Sequence, residues 1–134
     1  MPVVDASVWV SLCHSGDRYH GKSRRWLENA LGKAEQLAAP TLLRVEVAAA
    51  IRRLTGDQRL AEEALATLEG HGWVELVDLD SERSRRAAEI ASATGARGAD
   101  AVYLELAVQR RVTLVTWGRQ QRARGSAVAR VETP

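Results

Sequence analysis

In 134 residues the chain has no phenylalanine, one cysteine, one methionine, three prolines and only two lysines, Lys22 and Lys33. Each shortage excludes something. The single cysteine, Cys13, rules out an internal disulfide and fits a reducing, cytoplasmic setting. It lies in an apolar helical stretch and reads as core filler. The three histidines, His14, His20 and His71, show no HxxxH or HExxH spacing, which argues against zinc. Four Trp and two Tyr, with no Phe, form no stacking platform at strand spacing. No apolar run approaches a membrane span, and no Lys or Arg precedes the first apolar segment. Neither a membrane anchor nor a secretory leader is therefore expected. Gly95, Gly98 and Gly118 form neither a phosphate-binding loop nor a dinucleotide fingerprint, and no serine lies in a G-x-S-x-G elbow.

What is present describes an ordinary globular chain. With 46% hydrophobic and 27% charged residues, residues 1–134 read as one domain with a proper core. The net charge of +2 hides an uneven distribution. Of 19 basic residues, 17 are Arg, and from Arg110 to Pro134 six Arg face one acid, Glu132. Arginine grips phosphate in a bidentate fork, so the C-terminal segment suits a nucleic acid. Codon bias in a GC-rich genome produces the same composition, so the signal is modest.

The pattern along the chain alternates short apolar strands with helices. It predicts a strand at 2–5, a helix at 7–14 with Ser7 as N-cap, and a helix at 17–31. A strand at 36–39 follows. Thr41 then caps a helix through Leu54 that Gly56 ends, and a further helix spans 57–69. A strand at 74–79, helices at 81–94 and 99–110, a strand at 112–116 and a final short helix and strand complete the reading. This alternation indicates an α/β fold with a parallel sheet, in which sites lie at the carboxyl ends of the strands.

Three acids stand out against that frame. Asp5 ends the first strand. Glu46 shares a helical face with Leu43, Val47, Ala50 and Leu54, and no base lies three or four residues from it. Asp100 shares a face with Tyr103, Leu104 and Ala107. Taken singly, Asp5 and Asp100 read as helix caps and Glu46 as a solvated helix residue. Taken together, they predict negative charge gathered at one spot, which is costly unless a cation neutralises it. An all-oxygen site suits Mg²⁺ or Mn²⁺, hence phosphoryl-transfer or nuclease chemistry. Haloacid-dehalogenase-type phosphatases need Asp-x-Asp after the first strand, where this chain has Asp5-Ala6-Ser7. A response-regulator receiver needs a late Lys, and none follows Lys33.

Four segments in order carry a family resemblance: Val3-Val4-Asp5-Ala6-Ser7, Leu42-Leu43-Arg44-Val45-Glu46-Val47, Arg97-Gly98-Ala99-Asp100-Ala101-Val102-Tyr103-Leu104, and Leu114-Val115-Thr116-Trp117. Over essentially its whole length the chain resembles PIN-domain ribonucleases, specifically the VapC-type toxins of toxin–antitoxin pairs. The resemblance implies a PIN-like three-layer α/β fold with a central, mostly parallel sheet flanked by helices. It implies a metal site of Asp5, Glu46 and Asp100, with Ser7 and Thr116 as supporting hydroxyls. It also implies Mg²⁺- or Mn²⁺-activated water attacking an RNA phosphodiester, leaving a 5′-phosphate and a 3′-hydroxyl. The expected partners are a VapB-type antitoxin, RNA and a second copy in a homodimer. Arg44 and Arg97 are candidates for gripping the RNA backbone. There is one departure: the family's fourth acid, in a Thr-x-Asp arrangement, is replaced here by Gly118, which should weaken cation binding. The alternative of another class is a catalytically inactive PIN domain that binds RNA or a protein.

Overall fold

Short apolar segments become strands here because neighbours cover them, so they read as near-continuous hydrophobic runs. The computed structural model describes residues 1–134, with strands β1 (Val3–Val4), β2 (Leu37–Pro40), β3 (Val74–Val77), β4 (Leu114–Val115) and β5 (Val131–Glu132). Seven helices flank them: α1 (Ala6–Cys13), α2 (His20–Gly32), α3 (Leu42–Thr55), α4 (Gln58–Gly70), α5 (Ser81–Thr94), α6 (Gly98–Arg110) and α7 (Arg119–Gly125). The strand order is β3-β2-β1-β4-β5, and every pairing is parallel. No helix is long and apolar enough to cross a membrane.

Helix ends follow local chemistry. Gly56 and Gly95 take left-handed conformations (φ 68° and 72°) that end α3 and α5, as their positions predicted. Asp57 and Asp80 cap α4 and α5 by accepting from the N–H groups of Arg59 and Arg83. Two starts differ from expectation. Asp5, not Ser7, is the N-cap of α1, because the chain turns into the helix as soon as β1 ends. Residues 17–19 form a turn, held by Asp17 accepting the Tyr19 N–H at 2.7 Å, and α2 begins only at His20. Thr41 occupies the N-cap position of α3, but its side chain caps nothing.

One cluster of 25 buried residues forms the core, including Val3, Val4, Leu37, Leu43, Val47 and Leu114. Helix α6 packs against β1, β2 and β4 and buries Tyr103, Leu104, Leu106 and Ala107. Glu105, on the same helix, is 2% exposed and is held by Arg83 (3.1 Å) and Arg86 (2.8 Å) of α5. A buried carboxylate is tolerable only with such partners, so this triad fixes α5 onto α6. Cys13 is half-buried, and desolvation pushes its thiol up to about 11, so it stays protonated.

The strand order places the site. From β1 the chain moves to β2 and β3 on one side, then returns to β4 and β5 on the other. The reversal lies between β1 and β4, where Val3 pairs with Leu114 and Val4 with Val115. Side chains just beyond these two strands line the crevice where parallel α/β sheets place their ligands. Those residues are Asp5 and Thr116.

Candidate active site

Asp5 is 6% exposed, and its carboxylate is held on one oxygen only. Oδ2 accepts from Ser7 Oγ at 2.6 Å, from Thr116 Oγ1 at 2.7 Å and from the Ser7 N–H at 3.3 Å. The hydroxyls are fixed in turn. Ser7 Oγ accepts the Trp117 N–H at 3.0 Å, and Thr116 Oγ1 accepts the Gly118 N–H at 3.0 Å. Thr116 Oγ1 also lies 2.8 Å from Gln121 Oε1, but a hydroxyl has one proton. The ionised carboxylate is the stronger acceptor. Asp5 is thus oriented by three donors on Oδ2, while Oδ1 has no protein donor.

Glu46, in the second turn of α3, and Asp100, in the first turn of α6, face the same crevice. Tyr103, one turn beyond Asp100, is fully buried and donates its hydroxyl to Glu46 Oε2 at 2.6 Å. Burial, foremost, and the negative charges of Asp5 and Asp100 push the Glu46 carboxyl above its ordinary range; the Tyr103 hydrogen bond opposes this. Desolvation and the Asp5 charge likewise raise Asp100, against the pull of Arg97 and Arg124. Burial and these same acids push the Tyr103 phenol far up, so it remains a donor throughout the physiological range. The three carboxylates therefore repel one another across the crevice.

Their chemistry fits a hard cation. The donors are all oxygen, and Asp5 and Glu46 each keep one oxygen free of hydrogen bonds while the other is oriented. Their mutual repulsion is what a divalent ion relieves. The approach is not closed, however. No three His, Cys, Asp or Glu side chains are near enough together to form a finished cage.

The other predicted positions divide. Arg97 precedes α6 and acts electrostatically on Asp100. Arg44 pairs with Glu69 of α4. Leu54, predicted on the buried face with Glu46, is 57% exposed because α3 outruns the core at its end. Gly118 sits at the start of α7 with φ −65° and ψ 112°, a backbone open to any residue. A Cβ there would lie 3.2 Å from Thr116 Oγ1. Two contributors were missed. Gln121 is 2% exposed and reaches from Thr116 to the Asp100 carbonyl, which its Nε2 approaches at 3.5 Å. Its only sequence signal is position, one helical turn after Gly118. Tyr19 and Trp117 stack with ring centroids 3.9 Å apart, a pairing of two loops that no strand spacing announces.

The sequence profile described as PIN domain matches residues 3–125. No curated protein sequence matches the chain significantly. Among solved structures the chain is similar to Mycobacterium tuberculosis VapC20, a sarcin–ricin loop cleaving toxin, with a TM-score of 0.77 at 18% identity. That match covers 92% of this chain and 94% of the other. Rickettsia felis VapBC2, bound to a promoter DNA fragment, matches with a TM-score of 0.74 at 12% identity, over 98% and 96%. Neisseria gonorrhoeae FitAcB matches with 0.72 at 15%, again over 98% and 96%. At these identities the structures establish a shared fold, and the profile match over most of the length establishes the family: the chain belongs to the PIN domain family.

Proposed function

We propose that this chain is a divalent-metal-dependent endoribonuclease, the toxin of a toxin–antitoxin pair. One observation supports the reading: at the sheet's reversal point Asp5 is oriented with Oδ1 free of any donor, and its charge acts on both Glu46 and Asp100. The three acids would hold Mg²⁺ or Mn²⁺, which supplies Lewis-acid polarisation of phosphate and a lowered pKa for water. Ser7 and Thr116 keep Asp5 turned one way, and Tyr103 does the same for Glu46. Arg97, whose charge acts on Asp100, would pair with a backbone phosphate. Water attacks phosphorus, the P–O3′ bond breaks, and the products carry a 5′-phosphate and a 3′-hydroxyl.

The acidic crevice also suits a cationic peptide. An antitoxin segment carrying Arg or Lys would replace the cation's charge there and block RNA. Likeness in fold to VapBC2 and FitAcB supports a VapB-type partner, and a homodimer belongs to the same reading. A second reading is favoured by Gly118: with one acid fewer and the acids not closed into a cage, the domain would bind RNA or protein without cleaving. Incubating pure protein with RNA and Mg²⁺, Mn²⁺ or EDTA, beside Asp5→Asn, separates the two. The nuclease reading requires cleavage with a metal, none with EDTA and none by the variant. Intact RNA in every lane leaves the binding module.

A further inference from the structure

Beside the acids, on the α1 and α3 side, lies an open pocket of about 530 Å³. Ser7, Glu46 and Gly118 belong to its wall as well as to the acidic crevice, so the two are continuous. Its apolar wall includes Val10, Ala49 and Ala50, where small side chains leave a slot between the helices, and Val45, 64% exposed, stands at the rim. The stacked Tyr19–Trp117 pair closes one side. That wall is rigid, since Trp117 Nε1 donates to Ser23 Oγ at 2.9 Å and Ser23 is itself tied to the buried Ser11 at 2.6 Å. Two charged groups complete the lining. Asp17 uses Oδ1 to accept the Tyr19 N–H and keeps Oδ2 free, and Arg53 forms no ion pair.

Resting on the ribonuclease reading, we infer that this pocket receives one unstacked nucleobase of the RNA strand, next to the phosphate held at the acids, and that it selects guanine. The spacing suits this occupant. Arg53 is seven residues beyond Glu46 on one helical face, roughly 10 Å along the axis, about the reach from a backbone phosphate to the far edge of a purine. Single-stranded RNA is read by proteins that place splayed bases against aromatic side chains and bond their edges. Guanine alone combines a two-acceptor edge, O6 and N7, for an arginine fork with a two-donor edge, N1–H and N2–H, for a carboxylate. Arg53 takes the first edge and Asp17 the second.

The test uses the intact chain and two independent readouts. Titrating GMP, AMP, CMP and UMP without metal, followed by amide NMR shifts, should show GMP binding tightest, with shifts at Tyr19, Ala49 and Trp117. Arg53→Gln should weaken GMP by about tenfold, the weight of one bidentate base contact, and Ala49→Leu, which fills the slot, should weaken all four nucleotides. Both variants should retain wild-type Mn²⁺ affinity, which shows that the acids are intact. In RNA, cleavage should fall beside G, and Arg53→Gln should flatten that preference. If GMP binds no better than the others, or binds elsewhere, the base pocket is overturned whether or not RNA is cut. If GMP binds as described and no RNA is cleaved under any metal, the pocket stands and the nuclease reading fails.

Discussion

Two acids of the crevice have a local role as well as a place in the site. Asp5 caps α1, and Asp100 sits in the first turn of α6, where the helix dipole favours a carboxylate. Glu46 has no such role and meets only the Tyr103 hydroxyl. Its carboxyl is raised in the folded chain, so the folded state binds the proton more tightly than the unfolded state. Its contribution to stability therefore falls as pH rises from the ordinary glutamate range through the raised value, and stays low above it. Without metal, Glu46→Gln should then be more stable than wild type at neutral pH, and the gap should close in acid. Urea midpoints measured across pH check this, and Mn²⁺ should stabilise wild type more than the variant. Gly118 gives a second prediction at this scale. Its backbone accepts a side chain, and a Cβ there requires the Thr116 hydroxyl to give by a few tenths of an ångström. Gly118→Asp should tighten Mn²⁺ on the order of tenfold, as changes around metal sites commonly do. Asp5→Asn in that background should abolish the gain.

Helix α7 shows how an element without chemistry of its own fixes the site. It follows its N-cap Gly118, carries Gln121 against Thr116, and ends at Gly125, packed against Leu104 of α6 and Val131 of β5. A Cβ on Gly125 would lie 2.6 Å from Leu104 Cδ2, so the helix docks closely because that residue has no side chain. Gly125→Ala should cost about 1–3 kcal/mol, the usual penalty for overpacking a core, read as a lower urea midpoint. The glycine stops of α3 and α5 and the parallel sheet were legible in the sequence, because φ preference and periodicity act locally. Asp5, Glu46 and Asp100 stood out in the sequence as acids on otherwise apolar segments, and the folded chain adds that their charges act on one another. The partnerships were not legible there. Tyr103 with Glu46, Arg44 with Glu69, Gln121 with Thr116 and Tyr19 with Trp117 each join separate elements, and only the packed chain determines which long side chain meets which. Ser7 was misread as a cap for a related reason: Asp5 and Ser7 are both good caps, and strand pairing with β4 decides where the helix starts.

For the molecule as a whole, a small positive net charge coexists with a negative crevice. The net charge is +2, yet three carboxylates concentrate at the reversal point, with Arg97 and Arg124 acting on Asp100 from its edge. Such a surface attracts a polyanion at its rim and repels it at its centre until a cation is bound. In the proposed nuclease, metal binding and RNA cleavage depend on the same three carboxylates. The most direct test is a Mn²⁺ titration of wild type, Asp5→Asn, Glu46→Gln and Asp100→Asn, each followed by electron paramagnetic resonance and paired with an RNA cleavage assay on the same samples. Wild type should bind Mn²⁺, each substitution should weaken that binding, and cleavage should fall in step. Mn²⁺ binding indifferent to all three substitutions, or cleavage that survives EDTA, would contradict the nuclease reading.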